Sequence, residues 1–134
     1  MGSESLEHTL RRFFARLSGG IVAVYLFGSQ ARGTAGPTSD VDLGILYAED
    51  PPLTLDGLPL DLEADLERLL GRPVEAVVLN RAPADLIHRV LRDGKLVMDG
   101  DRSRRIQFEV RARNEFFDLQ PILARYRAAP ATRR

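Results

Sequence analysis

The chain has 134 residues, 44% of them hydrophobic and 28% charged, which predicts one globular domain over residues 1–134. Cysteine is absent, which excludes a disulfide framework, thiolate metal sites and thiol nucleophiles and suits a reducing, cytoplasmic setting. Basic and acidic side chains number 19 each, so no global field draws the protein onto a polyanion, and nucleic acid is not expected as a direct partner. The longest apolar run, Ile21 to Phe27, is too short to span a bilayer, and no membrane partner is expected.

In chain order, Leu6, Leu10, Phe13, Phe14 and Leu17 recur at helical spacing and predict an amphipathic helix over 5–18, stopped by Gly19-Gly20. Ile21 to Phe27 is a continuous β-branched and aromatic run between glycines, the pattern of a strand buried on both faces and central in its sheet. Val41, Leu43, Ile45 and Tyr47 alternate with Asp40, Asp42, Gly44 and Leu46 and predict a second strand. A loop with three prolines follows over Glu49 to Pro59.

Leu60, Leu62, Leu66, Leu69 and Leu70 predict a helix ending at Gly71, and Val74 to Leu79 a third strand. Pro83 opens a helix through Leu91, and Asp93-Gly94 turns the chain into a short edge strand over Lys95 to Met98. Apolar residues from Ile106 to Leu123 mark a long helical region, bent or interrupted before Pro121. Residues 128–134 read as a frayed tail. The fold class that follows is α/β (α+β), a small mixed sheet flanked by helices.

The stretch that carries chemistry is Gly28-Ser29-Gln30-Ala31-Arg32-Gly33-Thr34, directly after the first strand, with Asp40-Val41-Asp42 following. Gly28 permits close backbone approach of a ligand, and Ser29 at a helix start offers a hydroxyl and free N–H groups to a phosphate. Asp40 and Asp42, two apart on a strand, project from one face with Cα atoms roughly 6.5–7 Å apart. Two carboxylates about 4 Å apart repel by about 4 kcal/mol at an effective dielectric of 20. Such a pair calls for a cation or a shared proton, and magnesium answers that need while bridging the phosphates of a nucleotide.

Each feature also has a plain structural reading: Gly-Ser as a turn, Asp-x-Asp as a loop-to-strand transition, Arg32 as a turn-bracing surface residue. The acidic run Asp61, Glu63, Asp65 and Glu67 reads as a solvated helix face. His8 and His88 have no companion at ligand spacing. The combination of Gly-Ser, a short spacer and Asp-x-Asp on the next strand is far more specific than its parts.

That combination, with Ala31-Arg32-Gly33 and with Ser39 before the first aspartate, resembles the polymerase-β-like nucleotidyltransferase superfamily and its minimal nucleotidyltransferases. The similarity continues through Val74-Glu75-Ala76-Val77, Leu79-Asn80-Arg81-Ala82-Pro83 and Phe108-Glu109-Val110-Arg111 to Asp118-Leu119-Gln120-Pro121, which look like MntA-type adenylyltransferase antitoxins. The resemblance implies the nucleotidyltransferase fold and transfer of AMP from Mg-ATP to an acceptor hydroxyl with release of pyrophosphate. It implies nucleotide contacts from Gly28, Ser29, Arg32 and Ser39, and a magnesium site at Asp40 and Asp42.

The resemblance further implies a third carboxylate that activates the acceptor. The matching residue is Glu75, where the superfamily usually carries aspartate. The implied partner is a HEPN-domain ribonuclease toxin modified on a tyrosine hydroxyl, with the long C-terminal helical region helping to dock it. Two rival readings are a binding-only antitoxin with weakened catalysis and a small-molecule enzyme of the aminoglycoside nucleotidyltransferase kind. The second rival usually needs an additional helical domain that this chain is too short to hold.

Overall fold

A computed structural model describes residues 3–17, 20–33, 36, 39–54, 57 and 59–128. The elements in order are α1 (Ser3–Ala15), β1 (Ile21–Phe27), α2 (Ser29–Arg32), β2 (Val41–Tyr47), α3 (Leu60–Leu70), β3 (Val74–Val78), α4 (Ala84–Asp93), β4 (Lys95–Asp99) and α5 (Arg102–Ala128). A 3₁₀ turn over Leu79–Arg81 follows β3, which therefore ends one residue before the expected boundary. The four strands lie in the order β3-β2-β1-β4. β1 runs antiparallel to both β2 and β4, and β2 runs parallel to β3, with α3 as the crossover that parallel pairing requires. The sheet is mixed, β1 is internal and β4 is an edge, as the sequence patterns predict.

Alternation of side chains across the strands divides the core into two layers. On one face Val24, Leu26, Leu43 and Ile45 pack with Leu6, Leu10 and Phe14 of α1 and Leu66 of α3. On the other, Ala23, Tyr25 and Leu46 pack with Ile87 and Val90 of α4 and Phe108 and Ala112 of α5. Burying each large apolar side chain contributes about 1.5–3 kcal/mol. β1 is buried on both faces because helices cover both.

The acidic run on α3 is not simply solvated. Glu67 Oε2 accepts from the Val74 N–H at 3.0 Å and Glu63 Oε2 from the Ala76 N–H at 2.7 Å. Val74 and Ala76 are two apart on edge strand β3, and Glu63 and Glu67 are four apart on a helix, so both pairs repeat at nearly the same distance. The carboxylates thus occupy donors that an edge strand otherwise leaves open to another chain. Asn80 similarly extends β2, accepting from the Tyr47 N–H (2.8 Å) and donating to Tyr47 O (2.9 Å). Arg81 donates to Pro51 O at 2.7 Å and Gly57 O at 3.1 Å, which holds the proline-containing loop.

α5 continues through Pro121, where the sequence suggests a bend or break. Proline deletes one backbone donor, and the turns on either side retain theirs. Of the frayed tail expected at 128–134, Ala128 instead closes α5, and 129–134 lie outside the described residues.

α5 is fastened to the sheet by a polar network. The Tyr25 hydroxyl donates to Glu109 Oε2 at 2.7 Å, and Arg105 lies 3.0 Å from both Glu109 and Asp99. Burial, reinforced by the hydrogen bond to Glu109, raises the Tyr25 pKa above its ordinary value. Folding therefore favours the protonated phenol. Its contribution is complete below about pH 10, where the unfolded tyrosine titrates, and is lost as pH rises through the higher folded value. Tyr25→Phe should cost about 1.5–3 kcal/mol at neutral pH, the range for a hydrogen bond to a charged acceptor, and should flatten the alkaline limb of a stability-versus-pH curve. Unchanged denaturant midpoints at neutral pH would remove this hydrogen bond from the account of how α5 is held.

Candidate active site

β1 ends at Phe27, and Gly28 then turns the chain into α2 with φ 76° and ψ −153°. That backbone region is essentially reserved for glycine. A methyl group at Gly28 would overlap Asp42 Oδ2 and sit 3.3 Å from its Cγ. The Asp42 carboxylate therefore rests against the bare Cα of Gly28. Asp42 pairs with Phe27 of β1 on one side and Glu75 of β3 on the other, so the Gly-Ser turn and the Asp-x-Asp strand meet at one end of the sheet.

The loop before β2 is held by a residue to which the sequence reading assigns no role. Gln30 on α2 is only 4% exposed, and its Nε2 donates to Ser39 O (3.3 Å) and Asp40 O (3.4 Å). These bonds set the approach of the chain to Asp40. Ser39 Oγ accepts from the Gly36 N–H at 2.8 Å, which braces the same loop. A buried amide needs partners, and a glutamine beside a Gly-Ser turn was the available signal.

A cavity of about 470 Å³ opens at this end of the sheet, lined by Phe27, Gly28, Ser29, Ser39, Asp40, Asp42, Arg89 and Asp93. Its size is that of a small-molecule site. Gly28, Ser29, Ser39, Asp40 and Asp42 are thus brought together as expected. Arg89 and Asp93, from α4, are additions that no local motif announces. Asp93 is paired with Arg92 through two contacts of 2.9 Å. Among the described lining residues Arg89 is the one guanidinium, placed to offset the charge of a phosphate group.

Arg32 closes α2, but its side chain is outside the described residues. Glu75 stands opposite Asp42 in the β2–β3 register, and in-register neighbours of a parallel pair share a face. It is exposed, however, and does not line the cavity. Among the described residues no three His, Asp or Glu side chains gather into a metal cage. A carboxylate pair in a cavity nonetheless fits magnesium, which typically takes one or two protein carboxylates and completes its shell with substrate phosphates and water. His88 stacks on Phe116, with ring centroids 3.7 Å apart and planes 3° from parallel, a packing role. Among the described residues no helix is long and apolar enough to cross a membrane.

The model of the family described as Polymerase beta, Nucleotidyltransferase matches residues 8–103. No curated protein matches the sequence. Among solved structures, a toxin-antitoxin with AMP-PNP is similar at TM-score 0.71 and 23% identity, covering 91% of this chain and 98% of that one. A tri-AMPylated Shewanella oneidensis HEPN toxin in complex with MNT antitoxin is similar at TM-score 0.64 and 22% identity, over 91% of this chain and 99% of that one. A candidate minimal nucleotidyltransferase is 36% identical at TM-score 0.55, over 71% of this chain and 95% of that one.

Proposed function

The chain belongs to the polymerase-β nucleotidyltransferase family, and from that premise we propose that it is an antitoxin that moves AMP from ATP to a tyrosine hydroxyl of a HEPN-domain toxin, in the cytoplasm and with magnesium. The observation that carries the reading is the cavity in which Asp40 and Asp42 face the Gly28-Ser29 turn. It joins an anion cradle to a carboxylate pair, the two halves of a site for a metal-nucleotide. The toxin as acceptor rests on the likeness to toxin-antitoxin complexes, one of which holds an AMPylated toxin.

In the reaction the acceptor oxygen bonds to the α-phosphorus of ATP, the bond from that phosphorus to the bridging oxygen breaks, pyrophosphate departs and the hydroxyl proton passes to a base. Ser29 and the N–H groups at the start of α2 hold phosphate oxygens. Arg89 reaches the same anions across the cavity. Gln30 keeps Asp40 in line by holding the loop in front of it. Magnesium held by Asp40 and Asp42 would polarise the phosphoryl oxygens and offset developing charge.

Glu75 is proposed as the third carboxylate, positioning the acceptor hydroxyl, on the support of its register opposite Asp42. Glu75→Gln should then lower transfer about a hundredfold or more while ATP binding holds, because the amide keeps the size of the side chain but can neither take up the acceptor proton nor carry the charge. Glu75→Asp should retain activity. Equal activity of wild type and Glu75→Gln under single-turnover conditions would take Glu75 out of the site.

Incubation with ATP labelled at the α-phosphate, magnesium and the HEPN-domain partner tests the whole reading. Label should appear on the toxin, at tyrosine, with stoichiometric pyrophosphate. A tight complex that protects against the toxin without any label transfer would replace the reading with the binding-only antitoxin, which the position of Glu75 outside the cavity favours.

A further inference from the structure

A second cavity, of about 240 Å³, opens at the end of the sheet away from Asp42. Val22 and Tyr47 line it, and Val22 is five residues along β1 from Phe27 of the nucleotide cavity, about 17 Å. From α5 come Arg104, Gln107 and Arg111, which fall at i, i+3 and i+7 and so share one helix face. Asp50 and Asn80 complete the polar lining.

The lining is rich in unused donors. Arg105 and Arg113 of the same helix are ion-paired with Glu109, whereas Arg104 and Arg111 are in no ion pair among the described residues. Among those residues the Arg104 guanidinium donates only to Ala48 O, at 3.4 Å, and the Gln107 and Arg111 side chains make no hydrogen bond. Asp50 is the one acid of the described lining. Its Oδ1 accepts from Asn80 Nδ2 at 3.0 Å, which leaves Oδ2 open to a donor.

We propose that this cavity binds a sugar phosphate. Two guanidinium groups against one carboxylate leave an excess of positive charge, and the guanidinium fork matches phosphate oxygens. A bare anion would be repelled by Asp50. A ligand with hydroxyl groups beside its phosphate offsets that repulsion, because a hydroxyl donates to Asp50 Oδ2. Size points the same way: the volume is about half the 470 Å³ of the nucleotide cavity and below the roughly 300–1,000 Å³ of sites for drug-sized molecules. None of these residues lines the nucleotide cavity, so the second site stands or falls separately from AMP transfer.

Ribose 5-phosphate is the probe, with inorganic phosphate and unphosphorylated ribose as comparisons, and binding to the full chain is measured by calorimetry without magnesium or ATP. Ribose 5-phosphate should bind at least tenfold more tightly than either comparison. Arg104→Ala with Arg111→Ala should weaken its binding tenfold or more, the scale of one lost charge-assisted hydrogen bond. Asp50→Ala should act oppositely on the two anions, weakening ribose 5-phosphate and tightening inorganic phosphate. All three side chains are exposed, so folding should hold, which circular dichroism checks. Asp42→Asn should bind ribose 5-phosphate as the wild type does, because Asp42 lines the other cavity.

No binding of ribose 5-phosphate at millimolar concentration, an affinity equal to that for inorganic phosphate, or binding untouched by the loss of both arginines would overturn the proposal. So would binding lost in Asp42→Asn, which would return the ligand to the nucleotide cavity. A 5′-phosphorylated RNA oligomer whose affinity climbs with its length would overturn it as well, in favour of a nucleic-acid surface.

Discussion

Replacing Asp42 by asparagine should reduce AMP transfer on the order of a thousandfold without unfolding the protein. Asparagine keeps the shape and one acceptor oxygen but removes the charge that draws a divalent cation. Metal stabilisation of a phosphoryl transition state supplies several kcal/mol, and each 1.36 kcal/mol is a factor of ten. Asp40→Asn should act in the same direction, since both carboxylates line the cavity. The measurement is single-turnover transfer from labelled ATP across a magnesium titration, with thermal unfolding followed in parallel. Near-wild-type transfer at saturating magnesium in either variant would show that these carboxylates do not serve a metal.

Gly28→Ala should damage both stability and transfer, for separable reasons. At φ 76° and ψ −153° a side chain costs about 1–3 kcal/mol of backbone strain. The added methyl also overlaps Asp42 Oδ2, so that carboxylate must move, and a displacement of about 1 Å can cost a hundredfold in rate. Gly33→Ala is the control. Gly33 closes α2 at φ 75° and ψ 15°, but a methyl there meets nothing within 4 Å. It should lose about 1–2 kcal/mol of stability and keep its rate per folded molecule. If Gly28→Ala likewise loses stability alone, the contact between Gly28 and Asp42 has no part in the chemistry.

A solvated face and a packed face can look alike in a list of residues. On α3, Glu63 and Glu67 appear as exposed acids and turn out to occupy the N–H groups of an edge strand. On α5, Ile106, Val110 and Phe117 belong to the same apolar series as Phe108 and Phe116, yet they are exposed where those two are buried. In both helices the pattern along the chain is correct, and the assignment of its faces depends on which neighbours arrive.

The sequence by itself determined the strands and helices and the meeting of a Gly-Ser turn with an Asp-x-Asp strand. Those features rest on periods of two and 3.6 residues and on spacings of a few residues, which covalent geometry and local sterics already constrain. Only the tertiary structure decided that Glu75 stands opposite Asp42 yet outside the cavity, that Arg89 and Asp93 complete its lining, that Gln30 holds the loop before Asp40, and that α5 leaves Ile106, Val110 and Phe117 exposed. The approach of Glu75 and Arg89 to Asp42 spans more than thirty residues of chain. It is set by strand register and by which helix faces bury against the sheet, and no spacing along the sequence encodes either.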